Sequence, residues 1–247
     1  LSLTRPFFQG QNRRIFGHVG LIGHSHLDTA WLWPINETVR KCARTISGVL
    51  DLMDSYPEYT FMMSSALHAE WMRDEYPEIF AGMRARAREG RFEFNGGVYV
   101  ECDCNIPSGE MMIRQFILGQ RFAKAYFGKP CDTFWLLDTF GYNANIPQIM
   151  LGCGVRYFAT NKINCNEINP VTHHSFIWRG IDGSEVLAHI PSSGGHADVT
   201  NVFAAIDTLI DKTPSDKRLL AFGLGDGGGG PTRGMLEEAR RVMHCDG

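Results

Sequence analysis

Long apolar runs are missing from this sequence. No stretch approaches the roughly 20 consecutive apolar residues that cross a bilayer, and the start, Leu1-Ser2-Leu3-Thr4-Arg5-Pro6, has neither an initiator Met nor the apolar core of a secretory signal. No membrane partner is expected, and the chain reads as soluble. An excess of one charge is missing too. The 24 Lys and Arg against 27 Asp and Glu leave a net charge of -3, which gives no electrostatic footing for nucleic acid. The seven cysteines, at 42, 102, 104, 131, 153, 165 and 245, are an odd number without zinc-finger spacing, and Cys102-Asp103-Cys104 is too tight for an ordinary disulfide loop. Reduced thiols in a cytoplasm are the simpler expectation. No Gly-Lys-Ser or Gly-Lys-Thr follows the glycine run from Gly225 to Gly230, which excludes a nucleotide phosphate loop.

What is present is enough for a sizeable core: 247 residues, 44% of them apolar, fit one α/β domain spanning 1–247. The C-terminal Met243-His244-Cys245-Asp246-Gly247 has no tail-like composition, so both ends read as cut and the chain as a fragment of a longer multidomain protein. Oligomeric state is open, a homo-oligomer included.

Apolar periodicity switches repeatedly between short β-like runs and helical stripes. Val19 to Ile22 predicts a first strand. Asn36 then predicts a helix cap, and Val39, Cys42, Ala43, Ile46, Val49, Leu50 and Met53 follow 3-and-4 spacing up to Tyr56-Pro57. Thr60 to Met63 reads as a strand, Leu67 to Gly90 as two helices divided at Tyr76-Pro77, and Phe92 to Val100 as another strand. Ser108 predicts the cap of a long helix that ends at Phe127-Gly128. Strands follow at 133–137, 156–160, 176–178, 186–190 and 219–222, with helices at 146–151, 202–212 and 233–243. Strands alternating with helices imply a mainly parallel sheet, closed or nearly closed into a barrel.

In such folds the loops leaving the C-terminal ends of strands build the site, and the polar clusters fall there. Gly23-His24-Ser25-His26-Leu27-Asp28-Thr29-Ala30-Trp31-Leu32-Trp33-Pro34 follows the first strand. Glu101, Asp103 and Asn105 follow Val100, Asp138 follows Trp135-Leu136-Leu137, and Asp226 follows the strand ending at Phe222. A His-x-Asp pair on an extended loop can turn both side chains to one side, so His26 and Asp28, with Asp138 from a second strand end, make a three-donor set for a metal with a position left open. Each residue also has a bland reading. His24 is structural or supports a ligand, Asp138 alone is a helix cap or turn former, and Trp31 and Phe140 are core aromatics or a stacking surface for a sugar. Asp226 sits in a glycine run that either approaches a ligand or is merely flexible, and His173-His174 lacks a carboxylate of comparable context.

The residues in these stretches resemble the catalytic domain of family 38 glycoside hydrolases, the class II α-mannosidases, most closely their cytosolic and bacterial branch. The similarity runs through the segments 23–34 and 100–110, Leu137-Asp138-Thr139-Phe140-Gly141-Tyr142, and Phe222 to Pro231. It implies a (β/α)7-type barrel and one divalent ion, zinc first, with cobalt, manganese or calcium as alternatives. That ion would be held by His26, Asp28, Asp138 and a fourth ligand, a histidine lying beyond the glycine-rich motif and past the end of this chain. It further implies Asp138 as nucleophile, Trp31 and Phe140 bordering the mannose, and Asp226 as acid/base. The branch usually has a tryptophan where Cys165 precedes Asn166, a departure that bears on specificity.

The implied activity is retaining hydrolysis of terminal α-linked mannose from oligosaccharides through a covalent glycosyl-enzyme on Asp138. Two rivals stay open: a metal-dependent carbohydrate deacetylase or amidohydrolase, which would want two histidine ligands, and a carbohydrate-binding fragment without activity.

Overall fold

The computed structural model describes residues 17–169, 171–208, 215–225 and 227–244. Its elements follow the predicted order, with β8 and a 3-10 turn in addition: β1 His18–His24, α1 Ile35–Ser55, β2 Phe61–Met63, α2 Ala66–Glu75, α3 Pro77–Arg88, β3 Phe92–Phe94, α4 Gly109–Phe127, β4 Thr133–Leu136, α5 Ile146–Gly152, β5 Tyr157–Thr160, the 3-10 turn at Lys162–Asn164, β6 Ser175–Arg179, β7 Glu185–His189, β8 Ser192–Gly194, α6 Val199–Asp207, β9 Lys217–Phe222 and α7 Arg233–Met243.

The strands pair as two sheets. One runs β3-β2-β1-β9-β8, parallel throughout, and the other β4-β5-β7-β6, in which β6 is antiparallel to β7. The mainly parallel pairing is as the sequence predicts, and it is divided between two ladders. β7 pairs with β5 in the second sheet, and three residues later β8 pairs with β9 in the first, so this stretch changes sheets. The other seam lies between β3 and β4. There the Trp135 amide donates to the Gly96 carbonyl (3.4 Å), and Asn95 donates to Asp132 Oδ1 (2.8 Å) while accepting from the Asp132 and Thr133 amides, each 3.1 Å away. His189 of β7 reaches across the switching seam, its Nε2 accepting from the Leu219 amide of β9 (3.1 Å) while Ser175 Oγ lies 2.8 Å from Nδ1. Met62, Trp135, Leu137, Ala159 and Ala221, with Ile22 and Leu219 against them, form an apolar layer drawn from both sheets.

Local chemistry explains most element ends. The stripe of α1 is buried at Val39, Cys42, Ala43, Ile46, Val49 and Met53, with Thr38, Thr45 and Leu52 buried beside it, while Leu50 is only partly buried. This helix starts at Ile35 with Pro34 in the cap position and no side-chain cap, so Asn36 is not the cap. Ser108 accepts from the Met111 amide (3.4 Å) and Gly128 closes α4 in the left-handed region, both as the sequence predicts. The strand expected over 92–100 stops at Phe94. A Cβ on Gly96 would lie 1.8 Å from the Ser64 carbonyl, a backbone approach only glycine permits, and from there the chain turns toward β4. Six of the expected residues of the helix at 202–212 lie in α6, which begins earlier at Val199, and its far end falls outside the described residues.

Candidate active site

Parallel strands put their C-terminal ends at one rim, and that is where the predicted donors converge. His26 and Asp28 leave β1, and Asp138 leaves β4. His26 Nε2 stands 3.3 Å from Asp28 Oδ1 and 3.1 Å from Asp138 Oδ2, and one ligand atom from each of the three lies within 4.8 Å of the others. One imidazole and two carboxylates, all partly buried, fit a divalent ion with coordination positions to spare. The local charge points the same way. Burial works against charge on His26, yet the Glu101 carboxylate and then Asp138 and Asp28 outweigh it and raise the imidazole to about 9, a cluster of negative charge that a cation would neutralise.

The loop that carries His26 and Asp28 is held from several sides. Trp33 Nε1 donates to Thr38 Oγ1 (2.9 Å), which donates in turn to the Thr29 carbonyl (2.7 Å). Thr29 Oγ1 lies 3.2 Å from His68 Nε2. His24 is buried, its Nδ1 donating to the Met62 carbonyl at 3.4 Å and its ring edge-on to Trp135; burial pulls it down to about 4. That is the setting of a histidine packed behind the donor set. Trp31 and Phe140 are 60% and 63% exposed at the rim, so neither is a core aromatic. The Phe140 carbonyl accepts from Asn105 Nδ2 (3.2 Å), and a Cβ on the next residue, Gly141 at φ +87°, would fall 2.1 Å from that nitrogen.

Two cavities meet at the donors. One of 240 Å³ is lined by His26, Asp138, Asn161, Lys162, Ser193 and Gly225; the other, of 320 Å³, runs behind the β1 loop past Asp28, Ser64, His68 and Glu101. His26 and Asp138 line both. The glycine run borders the same space. Gly225 lines the smaller cavity, the Gly228 carbonyl accepts from Thr45 Oγ1, and Arg44 reaches the Gly227 carbonyl at 3.5 Å. Asp226 itself lies outside the described residues.

Residue-by-residue reading of the sequence missed Lys162. Its ammonium lies 2.6 Å from Asp138 Oδ1 and over the Phe140 ring, 5.1 Å from the centroid. The only signal was its place directly after a strand, the same rim position as the other polar clusters. Asp103, expected at the rim, serves its own turn: Oδ1 accepts from the Asn105 and Ile106 amides. His174 is buried in a different place, beside Arg218, whose charge helps to lower it.

Comparison with known proteins meets this geometry. Residues 17–246 match the model described as Glycosyl hydrolases family 38 N-terminal domain. Human Alpha-mannosidase 2C1 is 46% identical over 255 residues that take in 99% of this chain and 24% of the human protein, so the chain spans about a quarter of the length of that relative. Among solved structures, an alpha-mannosidase from Enterococcus faecalis V583 superposes with a TM-score of 0.74 at 18% identity over 87% of this chain and 26% of that one. A probable polysaccharide deacetylase from Pseudomonas aeruginosa PAO1 superposes with a TM-score of 0.61 at 14% identity over 92% of this chain and 85% of that one, so the fold alone does not choose between the two chemistries. The match over nearly the whole chain shows the family: the chain belongs to glycosyl hydrolase family 38.

Proposed function

We propose that this chain is the catalytic part of a metal-dependent retaining α-mannosidase that removes terminal α-linked mannose from oligosaccharides. The observation that carries the reading is the convergence of His26, Asp28 and Asp138 within 4.8 Å, with the exposed Phe140 ring next to Asp138 across Lys162 and the exposed Trp31 on the loop that bears Asp28, in a family 38 chain whose relatives are named alpha-mannosidases.

The division of labour follows from the two oxygens of Asp138. One faces His26 and the other is held by Lys162, so the carboxylate is fixed in orientation at the mouth of the smaller cavity. From that position it is the group to attack the anomeric carbon and form the glycosyl-enzyme, with retention of configuration. The apolar face of the sugar stacks on Trp31 and Phe140, which orients the anomeric carbon toward Asp138. Asp226 is assigned the proton to the leaving oxygen, on the ground that its neighbour Gly225 lines the same cavity. A divalent ion held by His26, Asp28 and Asp138, zinc first and cobalt, manganese or calcium as alternatives, supplies Lewis-acid attraction for the sugar hydroxyls.

The two sheets are read as halves of a seven-membered (β/α) barrel with β7 and β8 as one member, a reading supported by the seam bonds at Gly96 and Leu219 and by the shared apolar layer. A cytoplasmic setting is proposed from the free thiols of Cys42, Cys102, Cys104, Cys131, Cys153 and Cys165.

The test is turnover of a chromogenic α-mannoside by this chain, and by a chain extended to the length of its relatives, with chelator and with added zinc, cobalt, manganese or calcium. Metal-dependent cleavage, lost in Asp138→Asn with the fold intact, is the expected result. Turnover by Asp138→Asn within a few-fold of the parent would remove the nucleophile assignment. No cleavage by either chain, with metal demonstrably bound, would replace the reading with the deacetylase or carbohydrate-binding one.

A further inference from the structure

Glu101 is a carboxylate sunk behind the donor set, and neither the sequence motifs nor the proposed reaction gives it a task. It leaves the β3–α4 loop with its side chain 16% exposed, and its Oε2 lies 3.4 Å from His26 Nδ1, the ring nitrogen that faces away from Asp28 and Asp138. Both atoms are buried without a hydrogen bond among the described residues, so this 3.4 Å ion-pair approach makes each the other's complement. The second oxygen, Oε1, accepts from Ser64 Oγ at 2.9 Å.

The loop is laced to three elements. The Val100 amide donates to Gln115 Oε1 on α4 (3.2 Å), the Tyr99 carbonyl accepts from the Leu67 amide of α2 (2.8 Å), and the Cys102 carbonyl accepts from Thr139 Oγ1 beside Asp138 (3.4 Å). Glu101 thus has little freedom to leave its place. An imidazole that ligates through one nitrogen needs the proton kept on the other and the ring held in one plane, and a carboxylate beyond the second nitrogen does both.

We propose that Glu101 is a positioning residue for the metal-holding imidazole: it fixes the His26 ring by Nδ1 so that Nε2 faces Asp28 and Asp138, and in this way sets the affinity for the divalent ion. This rests on the metal reading of the donor set. Glu101 touches neither sugar nor ion; it acts through His26.

The experiment measures zinc affinity by competition with a chromophoric chelator, and the visible absorption of the cobalt-loaded protein, for the parent, Glu101→Gln, Ser64→Ala and His26→Ala. Glu101→Gln is expected to bind zinc roughly 10- to 100-fold more weakly than the parent and to shift the cobalt absorption, with the metal-free melting temperature little changed. Ser64→Ala, which frees Oε1 and keeps the charge, is expected to lose a few-fold. A purely structural role would lower the metal-free melting temperature while the folded protein kept its zinc affinity and cobalt spectrum, and that result overturns the proposal. Zinc lost from His26→Ala yet held within twofold of the parent by Glu101→Gln overturns the role of Glu101 alone. Zinc bound equally by the parent and His26→Ala overturns the metal reading and this role with it. Should Glu101→Gln fail to fold, unchanged affinity in Ser64→Ala decides against the proposal.

Discussion

Replacing Gly141 with alanine is expected to destabilise the chain by about 2 kcal/mol, and the amount divides into two parts that can be measured separately. Gly141 sits at φ +87°, where a side chain meets its own backbone, which costs about 1 kcal/mol. The new Cβ would also stand 2.1 Å from Asn105 Nδ2, so the amide must swing away and give up its bond to the Phe140 carbonyl, about another 1 kcal/mol. For a chain of this size the sum lowers the melting temperature by about 4–8 °C. Thermal or urea unfolding followed by circular dichroism, with Gly141→Ala placed in both the parent and an Asn105→Ala background, reads the two parts. In the second background the amide is already gone, and the substitution is expected to cost only about 1 kcal/mol. Equal costs in the two backgrounds would refute the role given to Asn105, and no cost in either would refute the left-handed turn. The same change loosens Phe140, so a mannoside is expected to bind with a raised KM while kcat falls less.

Three further outcomes follow from the geometry. His26→Ala is expected to leave the purified protein with less bound metal, and an unchanged metal content by elemental analysis removes it from the ligand set. Thr38→Val keeps the shape but strands Trp33 Nε1 and the Thr29 carbonyl, for a loss of about 1–3 kcal/mol in urea unfolding and a raised KM; a stability within about 0.5 kcal/mol of the parent contradicts the pinning of that loop. His189 is held at about 4, first by burial and then by the neighbouring Arg218 and His174 charges, whereas in the unfolded chain it titrates near 6.5. The unfolded state therefore takes up the proton first as pH falls, and stability is full above about 6.5 and declines toward 4. By pH 5 the loss of stability from His189 is about 2 kcal/mol; His189→Gln is expected to flatten that part of the urea midpoint against pH, and an unaltered slope refutes it.

Much of this architecture was legible because the relevant signals are local. The stripe from Val39 to Met53 needs only helical spacing, Ser108 and Gly128 mark their helix by cap chemistry, and Arg233–Met243 is read without error in either boundary. His26, Asp28 and Asp138 could be grouped because parallel strands deliver their C-terminal ends to one rim, so strand order was not needed. What stayed hidden depends on neighbours distant in sequence. β8 is Ser192–Gly194, with no apolar residue to announce it, and becomes a strand because β9 lies alongside. Asn36 is a good cap by type, but Pro34 takes the cap position, and the Thr38 hydroxyl is committed to Trp33 and Thr29. That Glu101 meets His26, or Lys162 meets Asp138, follows from how loops from different strands lean together, and no spacing rule encodes it.

The pairing of β1 with β9 sets an order in time as well as in space. During synthesis β1 leaves the ribosome well before its partner, which arrives only when Lys217–Phe222 has been made, since His18 is in register with Lys217 and Gly23 with Phe222. Until then β1 presents one unpaired edge, a surface that chaperones or other nascent chains can occupy. Closing so long a loop is slow relative to local helix formation. The nascent protein will therefore acquire its local helices before its chemistry, because the turn bearing His26 and Asp28 hangs from a strand that must wait for a partner 199 residues further along the chain.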